Sequence, residues 1–222
     1  MREESLTAVA EAIRARTLSP IEAFEGCLER VHKWDERIRA FMRLDEEGAL
    51  ESARVLEAEA AAGRWRGSLH GVPVGFKDLC HLRGLPTSCG TGMPGYFTSA
   101  QDCTAARRLL DAGAISLGKL NMTELALGAF GDNAHHGDAD NPWLAGHATG
   151  GSSSGSGAGA RPPQSGDRGG VHCPLGALLV LDTPLQRLWA TGALNALRLH
   201  DDGAAPVLSS GRAALRRGAP AS

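Results

Sequence analysis

A short apolar run that ends in a charged pair places the strongest constraint on the fold of this chain. The run is Gly71-Val72-Pro73-Val74-Gly75-Phe76, and Lys77-Asp78 follows it directly. This mixture of valine, phenylalanine, glycine and proline favours a buried strand that ends in a loop. We therefore predict that Lys77 lies at the C-terminal end of a strand, with its aliphatic stem partly buried among apolar neighbours.

Helical and strand patterns alternate around this run. Ser19-Pro20 predicts an N-cap followed by proline at the first helical position, and residues 40–44 are typical of a short strand. Residues 46–62 predict an alanine- and glutamate-rich helix, Asp102 the cap of a later helix, and residues 114–117 the strand after it. Strand, helix and strand in that order predict an α/β fold, a sheet covered by helices.

The composition of the chain changes near residue 160. From residue 161 onward Glu, Lys, Ile, Phe, Tyr and Met are absent, and Arg, Ala, Gly, Pro and Leu dominate. We therefore expect one folded portion over residues 1–160 and a divergent, partly disordered extension over residues 161–222.

Charge and cysteine content exclude several classes of function. A net charge of −2 gives no excess of positive charge that would attract nucleic acid or an anionic membrane, so neither partner is expected. Five cysteines without a C-x-x-C pair indicate neither a disulfide framework nor a zinc ribbon, and they favour reduced thiols. The N-terminus leads into an amphipathic segment and no apolar stretch has the length of a membrane span, so we predict a cytoplasmic protein.

A serine-rich segment is the second informative feature of the sequence. Gly150-Gly151-Ser152-Ser153-Ser154-Gly155-Ser156, taken alone, is typical of a flexible linker. Asn141-Pro142-Trp143 precedes the serine-rich segment. This context and the spacing between the segment and Lys77 favour a serine-rich segment that is part of the fold. A lysine paired with a run of serines indicates hydroxyl chemistry.

Ordered motifs from residue 69 to residue 156 resemble the amidase signature family, and the likeness extends over roughly the first 160 residues. The motifs are Gly71–Asp78, Thr87–Thr91, Asp102–Thr104, Ala112–Glu124, Asn141–Trp143 and Thr149–Ser156. The resemblance implies the N-terminal portion of an amidase signature-like mixed sheet covered by helices. It also implies a small-molecule amide substrate and a catalytic triad of two serines and a lysine.

Two members of that triad have counterparts here. Lys77 matches the family's triad lysine, and Ser152 matches its bridging serine, which lies in a cis peptide. A lysine acts as a base only when neutral, and burial in an apolar pocket favours the neutral form. Ser152 then relays the proton while a second serine attacks the amide carbonyl and forms an acyl-enzyme. No cofactor is implied.

The third member has no clear counterpart. The family places its nucleophile, together with backbone N–H groups of the oxyanion hole, in a G-T-D-x-G-G-S-x-R-type segment after the bridging serine. The most similar segment of this chain is residues 166–174, in which Val171 occupies the nucleophile's place. Valine cannot attack a carbonyl, and Ser165 and Cys173 hold other positions of the segment. We predict that amidase activity is impaired or absent for this reason.

The missing motif suggests a truncated or frame-shifted relative, because family members are usually much longer. Reading a GC-rich gene out of frame produces a composition rich in Arg, Ala, Pro and Gly. Translation of the encoding DNA in its other two frames tests this hypothesis, which fails if neither frame contains the G-G-S motif.

Three functional alternatives stay open at this point. The first is a free amide hydrolase, and the second is the A subunit of a glutamyl-tRNA amidotransferase, which releases ammonia from glutamine. The third is a non-catalytic scaffold or interaction fragment. A homodimer fits the first alternative, and amidotransferase partner subunits fit the second.

Other motifs carry less weight. Residues 71–77 lack the G-x-x-x-x-G-K-[ST] order of a phosphate loop, because Phe76 follows Gly75 and Asp78 follows Lys77. A loop contains potential metal ligands without helical H-x-x-x-H spacing, so a metal site is disfavoured. These ligands are His135, His136, Asp138, Asp140 and His147. Lys119 and Glu124 are expected to form a pair that anchors a loop.

Overall fold

A computed structural model describes residues 6–93, 96–142 and 144–159 of the chain. The helices are α1 Leu6–Arg14, α2 Pro20–Ile38, α3 Glu46–Ala61, α4 Thr104–Asp111 and α5 Ser154–Gly159, with a 3₁₀ turn at Glu124–Ala126. The strands are β1 Phe41–Leu44, β2 Pro73–Lys77, β3 Pro86–Thr87, β4 Phe97–Thr98 and β5 Ile115–Leu120. Among the described helices none is long and apolar enough to cross a membrane. The boundary near residue 160 and the predictions for residues 161–222, Val171 included, lie outside the described residues.

The main sheet is mixed and has the order β1-β5-β2. The central strand β5 runs parallel to β2 and antiparallel to β1. Leu120, at the end of β5, lies opposite both Phe41 of β1 and Lys77 of β2. The predicted α/β class, a mixed sheet with covering helices, is confirmed. All residues of β2 are buried, and the strand ends at Lys77 as predicted.

Two apolar clusters hold the helices to the sheet. One joins α1 and α4 to Val74 and Phe76 of β2, and the other joins α2 and α3 to Ile115 and Leu117 of β5. Burial of large aliphatic and aromatic side chains, each worth about 1.5–3 kcal/mol, fixes β2 and β5 relative to the helices. The packing of β2 therefore holds Lys77, its last residue, in a fixed position.

The helix ends test two sequence predictions. Ser19 caps α2 in a capping box, because its Oγ accepts from the Glu22 N–H at 3.1 Å and Glu22 accepts from the Ser19 N–H at 2.8 Å. The prediction that Asp102 caps α4 is wrong. Cys103 occupies the N-cap position, and Asp102 instead accepts from the backbone N–H of Arg83 at 2.7 Å.

The cysteines depart in part from the expectation of reduced thiols. Cys80, Cys89 and Cys103 are free. Cys27, which is buried on α2, is disulfide-bonded, so the expectation fails at this residue.

Asp35 links the end of α2 to the start of β1. Its carboxylate accepts from the backbone N–H of Ala40 at 2.7 Å and from that of Phe41 at 3.3 Å. Burial nevertheless raises the pKa of Asp35 from 3.8 to about 6, because desolvation of the charged form outweighs the two hydrogen bonds that lower it.

We expect the stability of the protein to fall as the pH rises from about 4 to about 6. The folded state holds the Asp35 proton more tightly than the unfolded state, so its contribution is full below the unfolded pKa of 3.8 and lost above the folded pKa of about 6. Asp35→Asn, which keeps an oxygen acceptor but does not titrate, should flatten this part of the profile. Urea unfolding of both proteins across the range measures the effect, and identical slopes would contradict it.

Candidate active site

The structure brings Lys77 and Ser152 together. Lys77 is the last residue of β2, and Ser152 lies two residues before α5, after a cis Gly151–Ser152 peptide bond. The Lys77 Nζ donates a hydrogen bond to the Ser152 Oγ at 2.7 Å. The two residues are 2% and 1% exposed, so their contact is shielded from solvent. The catalytic roles expected for this pair stay predictions.

Ser152 is held from the segment that follows β5. The backbone N–H of Thr123 donates to the Ser152 carbonyl at 3.0 Å, and the N–H of Gly155 donates to the Asn121 carbonyl at 2.8 Å. The N–H of Asn121 in turn donates to the Ala40 carbonyl at 2.8 Å. These bonds connect the serine-rich segment to β5 and β1, which explains how residues with linker-like composition keep a fixed position.

A second buried lysine lies beside the first. Lys119 of β5 is completely buried, and its Nζ lies 3.0 Å from the Asp78 Oδ1. The same nitrogen donates to the Cys80 carbonyl at 2.7 Å and to the Thr87 Oγ1 at 3.0 Å. These acceptors all follow β2 in the chain, so Lys119 fixes the loop that begins directly after Lys77.

The expected pair of Lys119 and Glu124 is wrong, although Lys119 does anchor a loop. Glu124 lies in the 3₁₀ turn and contacts His135 at 3.2 Å, with both side chains partly exposed to solvent. Glu124 is five positions after Lys119 in the sequence, but the strand and the turn direct the two side chains to different surroundings. Asp78 is the true partner, and its signal in the sequence was its position immediately after Lys77.

Asp78 also holds a second loop. Its Oδ2 accepts from the backbone N–H of Ser88 at 2.9 Å and from the Ser88 hydroxyl. The Ser88 Oγ in turn accepts from the N–H of Gly90 at 3.2 Å. A buried carboxylate with one cationic partner and several donors is the well-compensated kind of buried charge. Asp78 therefore ties the loop after Lys77 to residues 88–90.

The histidines and aspartates considered as metal ligands do not converge. The ring of His136 contacts the Thr91 carbonyl at 3.0 Å, and Asp138 accepts from the backbone N–H of Asn133 at 2.8 Å. The ring of His147 contacts the Ala145 carbonyl at 3.3 Å. Within residues 6–93, 96–142 and 144–159, no group of three or more His, Cys, Asp or Glu side chains is arranged to hold a metal ion.

Several buried hydroxyl oxygens beside Ser152 retain hydrogen-bonding capacity. Within the described part of the chain, the Oγ1 of Thr123 and the Oγ atoms of Ser153, Ser154 and Ser156 have no partner. Buried polar groups in folded proteins are normally paired, so a group of such atoms in one place requires an explanation.

Comparison with known proteins identifies relatives of the described region. The model of the Amidase family matches residues 22–159. The A subunit of glutamyl-tRNA(Gln) amidotransferase from Aromatoleum aromaticum is 42% identical over 158 residues, which are 71% of this chain and 32% of that protein. The corresponding protein of Acidothermus cellulolyticus is 39% identical over 150 residues, which are 68% and 30% of the two chains.

A solved amidase structure is also similar to the described region. The native peptide amidase from Stenotrophomonas maltophilia superimposes with a TM-score of 0.65 at 32% sequence identity, over 70% of this chain and 33% of that one. The chain thus spans about a third of the length of the curated relatives it matches.

Proposed function

The chain belongs to the amidase family, whose model covers more than half of its length, and we propose that it cleaves the carbon–nitrogen bond of carboxamides by serine acyl transfer. The observation that supports this proposal most directly is the buried contact of 2.7 Å between the Lys77 Nζ and the Ser152 Oγ. A surface lysine would be solvated, whereas this amine is buried and faces a hydroxyl.

In the proposed mechanism Lys77 is the base and Ser152 is the relay. With a neutral amine the hydrogen bond runs in the opposite direction, so that the Ser152 hydroxyl donates to the lone pair of Nζ. Ser152 then gives its proton to Lys77 while it takes the proton of the attacking hydroxyl. The attack forms an acyl-enzyme and releases ammonia or an amine, and water completes the hydrolysis. Ser152 itself is too deeply buried to reach a substrate carbonyl, so the mechanism needs a second nucleophile.

We further propose that turnover is slow, because the sequence has Val171 where the attacking serine is expected. The proton-relay residues are present in the described region, but the segment that would supply the nucleophile lies outside it. A residual hydrolytic rate that depends on Lys77 fits a site that retains its proton-transfer groups.

We expect Lys77→Met and Ser152→Ala each to reduce amide hydrolysis by roughly 100-fold, the lower end of what a positioned proton-transfer group contributes. The rates are measured on p-nitroacetanilide and hexanamide with the purified full-length chain. Lys33→Met and Ser52→Ala are the matched controls, since both residues are exposed on helices, and they should leave the rate unchanged.

Two outcomes would contradict the hydrolase. A wild-type rate equal to that of buffer would favour the scaffold or interaction fragment. A rate that survives both substitutions would place the chemistry elsewhere, and loss of that rate with a chelator would indicate a metal-dependent hydrolase.

The alternative within the family is a glutaminase-type A subunit of a glutamyl-tRNA amidotransferase. The identity of 42% to the A subunit of such an enzyme supports it. The same assay separates the two, because an A subunit should release ammonia from glutamine faster than from hexanamide and should associate with partner subunits. A preference for simple amides by the isolated chain favours the free hydrolase.

A further inference from the structure

Two cysteine thiols lie together just after the strand that carries Lys77. Cys80 follows Lys77 by three residues, and Cys103 is the N-cap of α4. The Cys103 thiol is one of the groups close enough to the Cys80 thiol to raise its pKa. The backbone N–H of Cys103 also donates to the His81 carbonyl at 2.9 Å, which holds the two chain segments side by side. Both thiols are free, half-buried and packed against the same apolar cluster.

We propose that Cys80 and Cys103 form a reversible disulfide when the protein meets hydrogen peroxide, which makes this pair a redox modification site. Disulfide formation requires the two sulfur atoms to approach within bonding distance without large backbone movement. Neighbouring thiols on segments joined by a backbone hydrogen bond favour such an approach. The proposal is independent of amide hydrolysis.

The surroundings of the two thiols set the order of the steps. Burial, together with the nearby Cys103, raises the pKa of the Cys80 thiol to about 12, so Cys80 is the poorer first nucleophile. Cys103, at the start of α4, is therefore the first nucleophile. Its sulfur attacks the peroxide, the O–O bond breaks, and water and a sulfenic acid form. The Cys80 sulfur then attacks the Cys103 sulfur, the S–O bond breaks, and hydroxide leaves with the Cys80 proton as a second water.

The disulfide would connect α4 to the loop that directly follows Lys77. The Cys80 N–H donates to the Lys77 carbonyl at 2.8 Å, and the Cys80 carbonyl accepts from the Lys119 Nζ at 2.7 Å. A covalent bond at this residue therefore restrains the segment that directly follows Lys77. It also closes a loop in the unfolded chain, which should raise Tm by roughly 5–10 °C.

Peptide mapping of the full-length protein tests the proposal. The reduced protein is treated with hydrogen peroxide, remaining thiols are blocked with N-ethylmaleimide, and digestion with trypsin and chymotrypsin separates Cys80, Cys89 and Cys103 into different peptides. We expect a Cys80–Cys103 cross-linked peptide, two hydrogen atoms lighter than the sum of its parts, that disappears with dithiothreitol. The oxidised protein should also show the higher Tm.

Matched variants identify the pair. Cys103→Ser and Cys80→Ser should lose the cross-link and the gain in Tm, whereas Cys89→Ser should keep both. Labelling of Cys80 and Cys103 by N-ethylmaleimide after peroxide treatment would overturn the proposal, as would a cross-link of either residue to another cysteine. The map of the wild-type protein decides between these outcomes even if a variant fails to fold.

Discussion

Replacing Lys119 with methionine is expected to lower the free energy of unfolding by about 3–5 kcal/mol, the usual cost of removing one partner from a buried ion pair. Lys119 is completely buried, and its Nζ satisfies Asp78, the Cys80 carbonyl and the Thr87 hydroxyl. Methionine preserves most of the volume but leaves the Asp78 carboxylate without its cation. Urea unfolding of the variant and the wild type measures the difference.

Two further variants separate the lost charge pair from lost packing. Lys33→Met alters an exposed lysine of α2 and should change the unfolding free energy by no more than about 0.5 kcal/mol. Adding Asp78→Asn to Lys119→Met removes the unpaired charge and should recover part of the loss. A loss below about 1 kcal/mol in Lys119→Met, or no recovery in the double variant, would contradict the assigned role of the ion pair.

Local patterns were sufficient to predict most elements of the described fold. The apolar run before Lys77 predicted β2, because a buried strand needs such residues throughout, and Ser19-Pro20 predicted the start of α2 from capping chemistry alone. Asp102 failed as a cap for a physical reason. Its carboxylate accepts from the distant Arg83 N–H, a contact that the neighbouring sequence does not reveal.

The site shows the same division between local and distant contacts. The pair of Lys119 and Asp78 joins β5 to the loop after β2, so a search for neighbours along the sequence paired Lys119 with Glu124 instead. The proximity of Lys77 and Ser152 was expected only from the resemblance to the amidase signature family, since spacing alone fixes no contact over so long a separation. The structure places the two residues together, while their roles await the hydrolysis assay.

Gly155→Ala is expected to destabilise the protein by about 3 kcal/mol and to reduce hydrolysis that depends on Lys77. Gly155 is buried in α5, and a Cβ at this position would overlap the Ala40 carbonyl oxygen and the backbone nitrogen of Asn121. Backbone atoms directly beside β1 and β5 cannot move aside as a flexible side chain can, so α5 must shift. Ser152, two residues before α5, would shift with it and lose its geometry with Lys77.

Gly159→Ala is the matched control because it introduces the same methyl group into the same helix. Among the described residues, a Cβ at Gly159 meets no atom within 4 Å, so the substitution should be neutral or should stabilise the helix by up to about 1 kcal/mol, the gain expected for alanine over glycine. Urea unfolding and p-nitroacetanilide hydrolysis are measured for both variants. Equal stabilities would contradict this role of Gly155 and would show that α5 tolerates displacement from the sheet. The bonds of Ser152 to Thr123 and Lys77 would then hold it independently of α5.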